Sequence, residues 1–424
     1  MLTRTLERIQ ASPARRAAYG GAILLMLAVM LVLKALRFKE SGFWYGSQAP
    51  DFAAFHIVAQ RVWHGDVELT YQFAAFMKMQ LEASGGTNGF MPWTYPPQFD
   101  LLIAPLAFLP GWAAYALFTT VTLVTYILTL RAIARRHFAQ VLIVLFPAIA
   151  VTLACGQNGF LTGTLMGLLC LHAERRPVLA GIALGTMVIK PHLAIAAGVY
   201  MLLTRRWTVI LSAATVVAAS SLLCTLVFGP HIWLAWMDGI KEAAGFLEEG
   251  RYPLFRMISA YAALYKAGFA GWAFWGQTVV AVLAVAAVAL GVARAPSRRF
   301  TLGVVAMTSV MISPYAYDYD LPIVGIGLAL MLPGLATLAT PRERDILYGL
   351  VLLAGAYGLL QSARLAAQHV MEDDLERYTT PAVAGIALIA VLALLLRLLL
   401  RVSRPTTLQQ AQGSAPPRPA HALE

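Results

Sequence analysis

Long apolar runs separated by short basic or proline-containing breaks dominate the chain. They cover approximately Tyr19–Leu36, Pro97–Arg131, Phe138–Ala154, Asn158–Leu171, Pro177–Ile189 and Pro191–Leu203. Others follow at Trp207–Phe228, Trp272–Val292, Phe300–Ile312, Leu321–Leu338, Ile346–Leu360 and Pro381–Leu400. Runs of this length indicate a chain whose solvent is lipid. The pattern predicts an all-α polytopic membrane protein with about twelve crossings, several of them shorter than the roughly 20 residues of a full span. Pro105, Pro110 and Gly111 interrupt the run from Pro97, so its first half reads as a short or re-entrant piece leading into a proper helix. The first run follows Arg4, Arg8, Arg15 and Arg16, as in a signal peptide, but no small-residue cleavage site succeeds it. It is expected to be an uncleaved first span.

Two stretches outside these runs carry helical periodicity. From Asp51 to Trp63, Phe52, Phe55, Val58, Ala59 and Val62 recur at helical spacing, and a second such stretch covers about Leu69–Leu81. Both read as amphipathic helices lying on the membrane surface, within an outer loop from Arg37 to Tyr95. Residues 1–403 are expected to form a single transmembrane domain with a second outer loop at 229–271. Residues 404–424, rich in Pro, Gln and Ala, are expected to form a disordered cytoplasmic tail.

Composition changes this picture little. The chain has 424 residues, 59% hydrophobic and 12% charged, against about 25% charged in soluble proteins. The net charge of +11 invites a nucleic-acid reading, which the distribution of charge removes. With the N-terminus cytoplasmic, 20 of the 32 basic residues but only 5 of the 21 acidic ones fall inside. That is the positive-inside rule at work. The same rule requires Arg175-Arg176 and Arg205-Arg206 to lie on one side, so Pro177–Leu203 must enter and return as two half-length helices. Lys190, Pro191 and His192 then sit at a hairpin tip, where an ionisable group is a functional candidate. The cysteines, Cys155, Cys170 and Cys224, lie in apolar stretches without metal or disulfide spacing and read as packing residues.

The remaining polar groups gather on the outer side. Asp51 opens the first amphipathic helix, either as its cap or as a chemical group. Trp93-Thr94-Tyr95-Pro96-Pro97 precedes a membrane segment; its prolines are structural, while Tyr95 could touch a ligand. Gln157 and Asn158 lie in a tight turn and would serve a sugar hydroxyl as well as backbone. Lys190 could pair with a carboxylate or hold a phosphate. Asp318 and Asp320 have the DxD spacing of divalent-metal sites, though Asp320 could equally cap the following helix. His56 and His64 give no metal set and suit an interface. There is no phosphate loop of the nucleotide-binding kind.

Taken in order, Asp51-x-x-x-Phe55, Gly65, Tyr71, Tyr95-Pro96-Pro97, Gly156-Gln157-Asn158, Lys190-Pro191, Ser313-Pro314 and Tyr319-Asp320 resemble glycosyltransferase family 87. The resemblance runs over about residues 20 to 400. It implies the C-type glycosyltransferase fold and a polyprenyl-phosphate-sugar donor, as in the mycobacterial enzymes that extend phosphatidylinositol mannosides. Those members carry histidine in the segment where this chain has Tyr315, Tyr317 and Tyr319, a departure that bears on sugar specificity. The family's essential acidic residue matches Asp51, expected to act as general base in an inverting transfer to a lipid or glycan acceptor. Lys190, with Arg251 or Arg256, is expected to stabilise the departing lipid phosphate. His56, Tyr95, Gln157, Asn158, His192, Tyr315, Asp318 and Asp320 are the candidate substrate contacts. No metal or cofactor is required, and the site is expected to face the exterior of a bacterial inner membrane. The rival readings are a secondary transporter, which broken half-helices would suit, and an envelope lipid ligase or flippase component. No internal repeat supports the first.

Overall fold

The structure is a computed structural model; it describes residues 2–42, 51–84, 91–368 and 380–402. The tail from 404 and the Gly85 region of the first outer loop lie outside these residues. Among the described residues there are helices but no strand, apart from one isolated bridge between Met257 and Tyr317.

The helices are α1 (Leu2–Ala11), α2 (Pro13–Ser41), α3 (Phe52–His64), α4 (Phe73–Ser84), α5 (Pro97–Ile103), α6 (Gly111–Ala134), α7 (Phe138–Cys155), α8 (Gly159–His172) and α9 (Pro177–Thr186). They continue as α10 (Ile195–Leu203), α11 (Trp207–Phe228), α12 (His231–Glu248), α13 (Ala260–Lys266), α14 (Ala270–Arg294), α15 (Arg298–Ser309), α16 (Pro322–Leu338), α17 (Pro341–Ala367) and α18 (Val383–Arg401). Proline at the first helical position, where its missing N–H costs nothing, opens α2, α5, α9, α16 and α17.

Among the described residues, six stretches are long and apolar enough to cross a membrane by themselves: α2, the α6–α7 stretch, α11, α14, α17 and α18. The other apolar runs form helices of only 10–17 residues, counting their 3-10 extensions. Leu25, Leu226 and Trp272 are 67%, 75% and 69% exposed, so the outward faces of α2, α11 and α14 suit lipid. The run from Pro97 divides as its prolines require, into α5, a 3-10 turn over Ala104–Phe108 and α6. A helical reversal at Arg135, with φ of +50°, folds α7 back along α6. Tyr115, near the start of α6, consequently donates to the carbonyl of Leu153 near the end of α7, at 2.8 Å.

Three elements differ from expectation. α2 continues through Ser41, absorbing the start of the first outer loop. The second amphipathic stretch divides into a 3-10 turn, Val67–Tyr71, and α4. The apolar face of α3, expected against lipid, packs on protein. Phe52, Phe55 and Val58 are fully buried against protein, including Tyr115, Phe99 and Phe118. Periodicity marks one apolar face without saying whether lipid or protein covers it.

The half-helix pair is present. Arg206, just past α10, contacts both Glu174, at 3.5 Å, and the Ala173 carbonyl ahead of α9. A straight helix over the same 27 residues would separate those ends by about 40 Å. Arg298 joins the cluster through Glu174 at 3.1 Å, and Arg344 reaches Glu7 of α1 at 2.9 Å. The basic breaks thus share one end of the molecule with each other.

Candidate active site

At the opposite end, α3, α12, the loop before α5, the α7–α8 turn, the α9–α10 hairpin tip and the segment ahead of α16 enclose a cavity of about 280 Å³. Asp51 stands on its wall in the first turn of α3. Its backbone is already helical, with φ −54° and ψ −25°, and its side chain makes no capping bond. The carboxylate faces the cavity instead, within electrostatic reach of Tyr95, Arg256 and Tyr319.

Two cations line the same cavity, each with its own carboxylate. Lys190 Nζ lies 2.7 Å from Asp320 Oδ1 and 4.7 Å from the centre of the Tyr319 ring. Arg256 grips Asp318 with two bonds, Nη2 to Oδ1 at 3.0 Å and Nε to Oδ2 at 3.2 Å. The bridge between Met257 and Tyr317, with Ile258 N donating to the Ala316 carbonyl, brings these partners together. Burial disfavours the charge on Arg256, but its neighbours together, Asp318 foremost and then Cys155 and Asp51, hold the guanidinium above its ordinary range. Asp320 Oδ2 accepts from the N–H of Tyr317, closing the tight turn ahead of α16. It does not cap α16, whose preceding residue is Leu321. All four oxygens of the DxD pair are therefore engaged by the protein. Among the described residues, no three His, Cys, Asp or Glu side chains gather as metal ligands.

Aromatic groups supply much of the remaining wall. Tyr317 and Tyr319 stack 5.1 Å apart at 11°, and Tyr252 meets Tyr315 edge-on. Burial pushes the phenols of Tyr95, Tyr252, Tyr317 and Tyr319 above their ordinary range, so they remain neutral donors. Tyr95 donates to Gln157 Oε1 at 2.8 Å. His192 lines the cavity with its Nε2 buried and unpartnered. Asn158 lies behind Gln157, fully buried, with neither side-chain amide atom bonded.

The candidates from sequence are thus sorted. Asp51, Tyr95, Gln157, Lys190, His192, Arg256 and Tyr315 meet at the cavity; Asn158, Asp318 and Asp320 stand immediately behind its wall. Two do not belong. Arg251 lies outside it, its guanidinium 4.4 Å from the Phe246 ring and 5.4 Å from that of Phe73, where outer-loop aromatics offered a nearer partner. His56 points to the other side of α3, bonding the Leu109 carbonyl at 3.0 Å and lining a separate hollow with Phe38 and Trp112. Trp236, Tyr252, Tyr317 and Tyr319 line the cavity without having been singled out as contacts. Tyr317 and Tyr319 flank the start of the 3-10 turn over Asp318–Asp320, and that turn brings their rings together.

A model of glycosyltransferase family 87 matches residues 93–314, just over half of the chain. The chain belongs to glycosyltransferase family 87. It is therefore a membrane glycosyltransferase. No curated protein and no solved structure matches it. The family-87 match takes in Tyr95, Gln157, Lys190 and Arg256 but stops short of Asp51 on one side and Tyr315–Asp320 on the other. It is narrower than the 20–400 span of the motif resemblance.

Proposed function

We propose that this protein transfers a sugar from a polyprenyl-phosphate donor to a hydroxyl of a lipid or glycan acceptor, with inversion, at the outer face of a bacterial inner membrane. The observation that carries this reading is an uncapped carboxylate, Asp51, on the wall of one cavity with Lys190 and Arg256. Asp51 takes the proton of the acceptor hydroxyl as its oxygen bonds to the anomeric carbon. The bond from that carbon to the donor phosphate breaks, and the polyprenyl monophosphate leaves with the electron pair. Lys190 and Arg256, though each is ion-paired, offer their N–H groups to its oxygens. A β-linked donor then gives an α-glycoside.

The charge inventory favours a monophosphate donor over a diphosphate. The two cations at the cavity are matched by Asp318 and Asp320, leaving Asp51 as net negative charge. A donor with one phosphate charge is repelled least by such a site. Sugar hydroxyls would find the Tyr317–Tyr319 stack, Gln157 and the unpartnered His192 nitrogen as neighbours.

The test is product analysis by mass spectrometry after incubating purified protein with a panel of polyprenyl-phosphate sugars and membrane lipids. Transfer is expected from at least one such donor and not from sugar nucleotides. Transfer from a sugar nucleotide alone would sink the donor assignment.

A further inference from the structure

Beneath the cavity wall, outside the residues assigned to chemistry, Asp100 of α5 is fully buried. Its Oδ1 accepts from Trp93 Nε1 at 2.9 Å, and its Oδ2 lies 2.6 Å from Tyr71 Oη. Among the described residues no cation pairs with it, and its carboxyl takes no backbone N–H of α5. Tyr71 Oη is also 3.0 Å from the carbonyl of Tyr95. That carbonyl is followed by Pro96 and Pro97, and no other donor among the described residues reaches it.

The protons must be shared out. Tyr71 has one hydroxyl proton and two acceptors. If it bonds an ionised Asp100, the buried Tyr95 carbonyl is left without a donor and an unpaired anion stays buried, each at a cost. If Asp100 is a carboxylic acid, every group is satisfied. Its own O–H donates to Tyr71 Oη, the Tyr71 proton serves the Tyr95 carbonyl, and Trp93 donates to the other carboxyl oxygen.

We infer that Asp100 is held as a neutral carboxylic acid that, through Tyr71, positions Tyr95 at the cavity. Tyr95 is then fixed at both ends, its backbone by Tyr71 and its hydroxyl by Gln157, with its ring 5.8 Å from Lys190 Nζ. The protonation state rests on the hydrogen bonds alone; the role as a positioning residue rests on the glycosyl-transfer reading above.

Infrared spectroscopy on full-length protein, isotopically labelled at aspartate, in an ester-free detergent at neutral pH, reads the proton directly. A carboxylic-acid carbonyl band is expected in the wild type and should vanish in Asp100→Asn. Its absence from the wild type would overturn the inference, and this readout needs no substrate. Asparagine can reproduce both bonds, donating to Tyr71 and accepting from Trp93, whereas leucine can make neither. Asp100→Asn should therefore keep transfer within about threefold of wild type, while Asp100→Leu raises the donor KM tenfold or more. An Asp100→Asn variant as impaired as Asp100→Leu would show that the negative charge itself is needed and would reject a neutral acid.

Discussion

Asp51 makes no capping bond, so Asp51→Asn removes charge and basicity while leaving α3 as it is. Transfer should fall by about 10²–10⁴-fold, the usual worth of a general base. The melting temperature should stay unchanged, and near wild-type transfer would reduce Asp51 to a bystander. Lys190 behaves differently. Its partner Asp320 is fully buried, so Lys190→Ala strands a carboxylate and should cost about 3–5 kcal/mol of stability. Adding Asp320→Asn should restore much of that loss but not activity, because the cavity then lacks one of its two cations. Thermal unfolding in detergent of the single and double variants measures the coupling. That Asp51 and Lys190, both of which stand at the cavity, were worth singling out was legible from residue type and position. Their partners were not. Nothing in the chain says that Asp320 turns toward Lys190 and Asp318 toward Arg256, or that Arg251 prefers the Phe246 ring, because those choices are made by long-range packing.

Between elements, the cavity depends on close approaches that only glycine permits. A Cβ on Gly159, the first residue of α8, would run into the carbonyl oxygen of Tyr319, and one on Gly358 of α17 into the Asp318 carboxylate. Gly159→Ala should push α8 from the Tyr319 turn and destabilise the protein by about 1–3 kcal/mol, as overpacking generally does. Gly358→Ala should disturb the grip of Arg256 on Asp318 and lower activity more than stability. Parallel measurements of melting temperature and initial rate separate the two. The α9–α10 half-helices were readable because charges on both flanks left one solution. The covering of α3 was not, because apolar spacing is the same against lipid and against Phe99. Which apolar helices are full-length spans was hard to read for a related reason: short apolar helices packed inside a bundle look in sequence like complete membrane crossings.

Across the whole molecule, the contact of Arg206 with the α8–α9 turn means that Arg175 and Arg205 share one side. Single cysteines at these two positions should label identically from either face of sealed vesicles, and one at Lys241 of α12 should label from the other. Opposite labelling of 175 and 205 would abolish the hairpin. The hairpin also has a mechanical consequence. Each arm, with its 3-10 cap, spans 13 residues, about 20 Å of helix against a hydrocarbon core of about 30 Å. Where α9 and α10 meet lipid, a bilayer must dip toward the tip or leave a length mismatch there. The protein should therefore work fastest in thin membranes, slowing as acyl chains lengthen, and the leaflet above the hairpin would carry a permanent dimple through which a long lipid could sink to reach the cavity.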